Sequence, residues 1–202
     1  MNKPLLHPSI SSSKRFQIEH VKVGSEEHES ILKLTQFQAS FIDSIFRISN
    51  MKLWRAYLKQ RSIIAKRIDG DPHEQHLFHM TDYPNAERIV NSGFQVFCAK
   101  ALSFGKGIYL ANTAKETLKY GESFQSPTII ITQVCIGKAH PNSSDITKIV
   151  YSPDGYAYSK PRFLKPRRGY DAMHSNDLEK SIWVIPSAAR VYPSYVLRLR
   201  KK

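Results

Sequence analysis

Residues 128–135 read Thr-Ile-Ile-Ile-Thr-Gln-Val-Cys, a run in which most side chains are β-branched and none is Gly or Pro. Such a run predicts a long, buried β-strand. Outward from it, alternation of apolar and polar residues predicts further strands. They are expected at residues 16–23, 41–48, 75–78, 107–111, 183–185 and 195–199.

Helices are predicted between several of these strands from start and stop signals. Ser25 stands before an acidic first turn, and Gly93 follows a helical segment that has a proline near its start. The helices are expected to begin at Ser25, Asn50, Tyr83 and Asn112, the last running to Tyr120. Residues 95–106 are predicted to form a loop, and 139–168 a turn-rich polar segment. Short strands with a few helices, without regular β-α-β alternation, predict an α+β fold with mostly antiparallel sheets.

The length and composition indicate one folded domain. Residues 1–14 are polar, contain Pro and Ser, and are predicted to be a disordered arm before a domain at 15–202. No apolar run is long enough to cross a membrane. The two cysteines provide neither a disulfide framework nor a zinc cluster, which favours an intracellular protein, cytoplasmic or nuclear.

The net charge of +13 is high for 202 residues. A basic surface of this kind is typical of proteins that bind nucleic acid, acidic proteins or the diphosphate of a nucleotide. Solvated lysines and a basic tail are the simpler interpretation, because no aromatic-rich stacking motif accompanies the charges.

Individual site residues carry modest signals. His79 follows an apolar strand end, where it is either a hydrogen-bonding partner for a ligand hydroxyl or a satisfied core histidine. Gly105 and Gly107 flank Lys106 before a strand, which fits a tight turn better than a phosphate loop. Tyr109 and Tyr120 either enclose a flat heteroaromatic ring or pack in the core.

The order and spacing of several motifs resemble the catalytic domain of the poly(ADP-ribose) polymerase (PARP) family over about residues 16–200. The matching segments are Arg47-Ile48-Ser49-Asn50, Leu53-Trp54-Arg55-Ala56-Tyr57, Leu77-Phe78-His79-Met80-Thr81, Gly105-Lys106-Gly107-Ile108-Tyr109-Leu110-Ala111, Tyr170-Asp171 and Tyr192-Pro193-Ser194-Tyr195. Each motif alone is weak, whereas their combination is specific.

The resemblance implies an ADP-ribosyltransferase fold with NAD⁺ as co-substrate and no metal. The main chain of Met80 and the hydroxyl of Thr117 would hold the carboxamide, and Lys100 in the 95–104 loop would reach the pyrophosphate. The tyrosines would enclose the nicotinamide ring. The residues expected to bind NAD⁺ are His79, Met80, Thr81, Lys100, Tyr109, Thr117 and Tyr120.

The family's catalytic triad is His-Tyr-Glu, and the corresponding positions here are His79, Tyr109 and Ile182. An aliphatic side chain neither accepts a proton nor stabilises an oxocarbenium ion, so the resemblance implies transfer of single ADP-ribose units. The expected function is therefore that of an NAD⁺-dependent mono-ADP-ribosyltransferase, a glycosyltransferase acting on protein side chains, its own included. The alternatives are an inactive module that binds NAD⁺, ADP-ribose or RNA, and a transferase acting on nucleic-acid ends.

Overall fold

A computed structural model of the chain describes residues 15–96, 106–140, 147–151, 157–161, 166, 168–177 and 180–200. Within these residues the strands are β1 Phe16–His20, β2 Ile42–Asn50, β3 Glu74–Asp82, β4 Ile108–Ala111, β5 Pro127–Cys135, β6 Thr147–Tyr151, β7 Ala157–Pro161, β8 Met173–Asp177, β9 Lys180–Ile185 and β10 Val191–Leu199. The helices are α1 Glu26–Thr35, α2 Met51–Ile68, α3 Tyr83–Ser92 and the single turn α4 Ala114–Thr117. The predicted arm at 1–14 lies outside the described residues.

Eight strands form one sheet in the order β1-β2-β10-β5-β3-β4-β9-β8, and β6 pairs with β7 separately. Every strand pair is antiparallel, which confirms the predicted α+β class. The β-branched run occupies β5, which is buried from Thr128 to Cys135 and lies between β10 and β3. A strand with neighbours on both edges and both faces covered requires this composition.

The helix signals in the sequence act locally as expected. The side chains of Ser25 and Asn50 cap α1 and α2 by accepting hydrogen bonds from backbone N–H groups. The expectation for Asn112 is wrong, because Thr113 caps α4 and the helix ends at Thr117. A 3₁₀ turn then continues to Tyr120. Thr113 is the cap because the Glu116 side chain accepts a hydrogen bond from the Thr113 N–H and so completes a capping box.

Three apolar clusters of the core each join a helix to a different part of the sheet. The first contains α3 residues with Leu77 and Ile130, and the second contains α1 residues with Phe78, Met80 and Ile129. Opposite parity along β3 places these two clusters on opposite faces. The third cluster joins α2 to β5 and β10. Its members include Trp54, Tyr57, Ile64, Cys135 and Tyr192.

Two differences from the sequence prediction concern strands. The segment expected to be turn-rich contains the hairpin strands β6 and β7, and β8 was not predicted at all. β8 has a polar sequence, Met-His-Ser-Asn-Asp, so neither propensity nor alternation marks it. It forms because β9 offers it a hydrogen-bonding edge. None of the described helices is long and apolar enough to span a bilayer.

A buried arginine fixes the chain on the way into β8. Arg190 is 4% exposed and donates hydrogen bonds to the carbonyls of Cys135, Ile136 and Asp171. The Asp171 carboxylate in turn accepts from the Lys138 N–H at 2.9 Å and from Arg67. Because a buried cation must be satisfied, this arrangement fixes the segment at Asp171 from which the chain enters β8.

Candidate active site

The sheet opens between β3 and β4. β3 pairs with β5 along its whole length, from Glu74↔Cys135 to Asp82↔Pro127, whereas its pairing with β4 consists of Phe78↔Ala111 alone. All four residues of β4 pair instead with β9 on the far side. Beyond Phe78, the β4-side edge of β3 therefore has no strand against it within the described residues. Main-chain donors and acceptors on such an edge are available to a ligand.

Gly107 lets β4 approach β9 closely at one end of this opening. A Cβ on residue 107 would lie 2.5 Å from the Val184 side chain and 2.8 Å from the Ile185 carbonyl oxygen. Any larger residue would push β4 away from β9 and towards β3. Gly107 therefore helps to keep the opening wide, which supports a packing role for this glycine over a phosphate-binding one; Gly105 lies outside the described residues.

His79 borders the opening on β3. Its Nδ1 lies 3.0 Å from the main-chain oxygen of Tyr109, and its ring meets Phe94 edge-on at 5.2 Å between centroids. A carbonyl only accepts, so Nδ1 donates, and in the neutral ring Nε2 remains an acceptor. Burial lowers the pKa of His79 below its ordinary value, and the hydrogen bond to Tyr109 offsets only part of this. The ring is thus kept neutral, with Nε2 ready to accept from a ligand hydroxyl.

Tyr109 and Ile182 meet on the other side of the opening. Tyr109 lies opposite Val184, and Ala111 lies opposite Ile182, in the β4–β9 register. Tyr109 packs against a buried cluster formed by Met173, Ile182 and Val184. The three residues matched to the family triad are thereby brought together, His79 through the Tyr109 carbonyl and Ile182 through the Tyr109 side chain.

Among the described residues, the apolar cluster that contains Ile182 consists of Met173, Val184 and Tyr109, so the side chain of Ile182 packs against no carboxylate there. Ile182 is 8% exposed, and across the β8–β9 pair it lies opposite Ser175. The Ser175 hydroxyl is fully buried and has no hydrogen-bonding partner among the described residues. A serine hydroxyl is a poor base, so this place provides apolar packing rather than proton transfer.

The side chain of Met80 does not extend towards His79. Consecutive residues of a strand face opposite sides, and Met80 packs with Phe78 and Ile129 in the second cluster. There it fills the space beside Gly121, whose added Cβ would lie 2.7 Å from the Met80 sulfur. The methionine therefore supports the turn that follows Tyr120, and its main chain stays at the strand edge. Thr81 is buried as well, opposite Thr128.

Thr117 belongs to α4 and Tyr120 to its 3₁₀ extension, and their contact with NAD⁺ stays a prediction. The Thr117 hydroxyl is buried and donates to the Ala114 carbonyl at 2.6 Å, so toward a carboxamide it acts as an acceptor from the amide nitrogen. Tyr120 is 46% exposed, and the Lys119 ammonium lies 5.3 Å from its ring centroid. A parallel arrangement of the Tyr109 and Tyr120 rings stays a prediction. Lys100 lies outside the described residues.

A polar network that the sequence analysis missed holds α4 to β9. Glu116 accepts from the Ser181 N–H at 3.4 Å while its other oxygen accepts from the Thr113 N–H at 2.9 Å. Asn112 accepts from the Trp183 indole N–H at 2.7 Å and donates to the Ser181 hydroxyl. The Thr113-x-x-Glu116 spacing is a readable capping-box signal, but the register that brings it to β9 is not in the sequence.

His174 completes this network from β8. Its ring stacks on Trp183 at 3.9 Å with 11° between the planes, and Nε2 lies 2.8 Å from the Ser181 hydroxyl. Burial lowers the pKa of His174, and the charge of Glu116 opposes that shift. The network flanks Ile182 on both sides along β9 and fixes it relative to the helix that carries Thr117. Within the part of the chain that the structure describes, no cluster of His, Cys, Asp and Glu could hold a metal ion.

Comparison with known proteins matches residues 25–201 to the model of the poly(ADP-ribose) polymerase catalytic domain. The chain is 28% identical over 190 residues to human protein mono-ADP-ribosyltransferase PARP12, covering 91% of this chain and 26% of that protein. It is 25% identical over 209 residues to mouse protein mono-ADP-ribosyltransferase PARP11, covering 94% of this chain and 62% of the relative. The chain thus spans about a quarter of one curated relative and about three fifths of the other.

Proposed function

Because this chain belongs to the poly(ADP-ribose) polymerase catalytic domain family, we propose that it is an NAD⁺-dependent mono-ADP-ribosyltransferase acting on protein side chains. The observation that carries the proposal is the opening between β3 and β4, bordered by His79 and Tyr109, with aliphatic Ile182 in the place of the family's carboxylate. The names of the relatives support transfer of single units.

NAD⁺ is the co-substrate in this proposal. The exposed edge of β3 at Met80 would hydrogen-bond the carboxamide, assisted by the Thr117 hydroxyl as an acceptor. His79 Nε2 would accept from a hydroxyl of the adjacent ribose. Tyr109 and Tyr120 would shield the nicotinamide ring from water, which preserves the donor for the correct acceptor.

The reaction proposed here is a substitution at the ribose carbon that carries nicotinamide. The C–N bond breaks, its electron pair leaves with nicotinamide, and the leaving group becomes neutral because the pyridinium charge is discharged. An acceptor oxygen forms the new C–O bond to the oxocarbenium-like centre. If the acceptor is a carboxylate, no proton has to be removed, so no base is needed at position 182.

Ile182 limits the product to one unit. Elongation requires a base beside the 2′-hydroxyl of an ADP-ribose that is already attached, and neither Ile182 nor the buried cluster around it provides one. The expected products are ester-linked single ADP-ribose groups on acidic side chains, including those of the protein itself. We further propose an intracellular setting, which the small number of cysteines supports.

The test is incubation with NAD⁺ labelled in the adenylate phosphate, followed by denaturing gel electrophoresis. We expect one labelled species that neutral hydroxylamine releases. Tyr109→Ala should abolish the label, whereas Tyr83→Ala, the same truncation at the start of α3, should retain it. Tyr83 is a matched control because its ring packs beneath Arg198, 4.8 Å from the guanidinium carbon to the ring centroid.

Each other outcome rejects a defined part of the proposal. A polymer ladder would contradict the role of Ile182, and absence of label at high enzyme and NAD⁺ would identify a binding module. Label on added RNA or DNA but not on protein would show that the acceptor is nucleic acid instead of protein. Ile182→Glu should still give single units, because elongation also requires a site for a second ADP-ribose; long chains from that variant would show that the carboxylate alone decides product length.

A further inference from the structure

The solvent side of α2 carries an unusual charge pattern. The helix contains six Lys or Arg residues and no Asp or Glu over Met51–Ile68. Two of the cations have carboxylate partners, Arg61 with Glu74 and Arg67 with Asp171. The other four have no ion pair or side-chain hydrogen bond within the described residues and are exposed. They are Lys52, Arg55, Lys59 and Lys66, here called the α2 ridge.

The geometry of the helix aligns these four side chains. At 100° per residue their directions fall within about 60° of one another, and at 1.5 Å per residue they extend over about 21 Å. The opposite side of α2 is used by the core, since Trp54, Tyr57 and Ile64 are buried in the third cluster. The α2 ridge is therefore a straight row of flexible cations on a rigid, anchored helix.

Helix stability does not explain the row. Lys52 lies in the first turn, where the helix dipole is positive and cations are unfavourable, and Arg55 and Lys59 are like charges four residues apart. The first turn of α1 has the opposite and favourable arrangement, with Glu26, Glu27 and Glu29. The last turn of α2 carries Lys66 and Arg67, which suit the helix dipole, so the unfavourable part of the row is the N-terminal part from Lys52 to Lys59. A binding partner with negative charge would offset this repulsion.

The basic surface continues past the end of α2. The ion pair between Arg67 and Asp171 joins the last turn of α2 to the loop before β8, and Asp171 also holds the Lys138 N–H. Lys138 and Arg168 are exposed there. Asp69 and Asp71 are the exposed acids beside this end of the helix, so the ridge is most strongly positive from Lys52 to Lys59.

We propose that the α2 ridge binds the phosphate backbone of a nucleic-acid strand. A nucleic-acid strand carries a negative charge at every residue whatever its sequence, so a row of flexible cations can match it without a fixed register. A membrane surface fits less well, because an interfacial helix inserts its apolar face and that face of α2 is already buried in the core. The net charge of +13 favours the same partner. This proposal does not depend on the transferase activity.

The experiment measures fluorescence anisotropy of labelled 20-nucleotide single-stranded RNA, single-stranded DNA and duplex DNA at several salt concentrations, without NAD⁺. The double variant Arg55→Gln/Lys59→Gln is compared with Lys22→Gln/Lys33→Gln, which removes the same charge on and before α1. Two lost phosphate contacts reduce the salt slope by about 1.4 for a single strand, which extrapolates to about tenfold weaker binding at 0.15 M salt. The affinity of the α1 control for nucleic acid should fall by less than about twofold, since its substitutions remove only long-range attraction.

Several results would overturn the proposal. Equal losses of affinity in the two double variants would show that nucleic acid is attracted by net charge and not by a defined site. Absence of binding at 0.05 M salt would exclude the ridge as a nucleic-acid surface. Stronger competition by polyglutamate than by RNA would assign an acidic protein partner. Gln is a good helix former, so α2 should persist in the variants, and Arg55→Lys/Lys59→Arg should restore binding in the same protein background. Preference among the three probes then identifies the kind of strand bound.

Discussion

The two edges of β3 differ sharply in how they are paired. One edge pairs with β5 at nine consecutive positions, and the other pairs with β4 at one. The first edge continues into buried β-branched residues, whereas the second is bordered by His79 and Tyr109. One strand thus serves the core on one side and the candidate site on the other. The contrast teaches that the site exists where the sheet fails to close, and mutations on the two edges should have separable effects.

The largest expected effect is on the closed edge. Ile131→Ala removes a side chain that is completely buried on β5 and should lower the free energy of unfolding by about 2–5 kcal/mol. Chemical denaturation with a constant m-value would measure it. The molecules that remain folded should retain their kcat for transfer. A loss of kcat without a loss of stability would mean that β5 shapes the site directly.

On the open edge, a substitution should impair activity and leave stability nearly unchanged. His79→Gln replaces the imidazole with a flexible amide, whose acceptor oxygen is no longer held beside the opening by a ring bonded to the Tyr109 carbonyl, and should reduce kcat/KM for NAD⁺ by about 100-fold, a size typical of lost polar groups in active sites. The free energy of unfolding should change by only about 1 kcal/mol, because one hydrogen bond to the Tyr109 carbonyl is lost. Nearly normal transfer by this variant would break the comparison between the edges.

His79 on the open edge should make the stability of the protein depend on pH. Burial lowers the folded-state pKa of His79, so the unfolded chain binds protons more readily. The free energy of unfolding is therefore expected to fall as the pH decreases from about 6.5 towards the lower folded-state pKa, and to level off below it. His76 and His174 have pKa values that burial lowers too, so they contribute in the same direction.

The control for this pH effect is the His79→Gln variant. Its unfolding free energy, measured by denaturant titration between pH 7.5 and 5, should fall less steeply than that of the wild-type protein. Superimposable profiles for the two proteins would mean that His79 does not carry a lowered pKa. A shallower profile would sharpen the comparison, because the residue opposite His79 on the closed edge, Ile130, cannot titrate.

The smallest expected effect concerns the network that holds α4 beside the opening. Glu116→Ala removes the capping box and the bond to the Ser181 N–H, and should cost about 0.5–2 kcal/mol of stability. It should raise the KM for NAD⁺ a few-fold with little change in kcat, because Thr117 and Tyr120 lose their support. Glu116→Gln preserves the capping geometry and should behave almost like the wild-type protein. An unchanged KM in the alanine variant would assign the network to stability alone.

By itself the sequence determined the elements whose signals are local. The β-branched run of β5, the caps at Ser25 and Asn50 and the glycine that ends α3 depend on neighbouring residues, and all formed as predicted. The family motifs also pointed to His79, Tyr109 and Ile182 as candidate site residues, because those motifs are short segments of the chain. Local propensity and short motifs are written in adjacent residues, so they can be read without a structure.

Tertiary structure alone decided how these elements meet. The polar strand β8, the single pairing between β3 and β4 and the stack of His174 on Trp183 depend on register between segments that are distant in the chain. Met80 illustrates the physical reason. Its identity is known from the sequence, but only the pleat of β3 and its packing against β5 determine that its side chain enters the core while its main chain stays at the open edge.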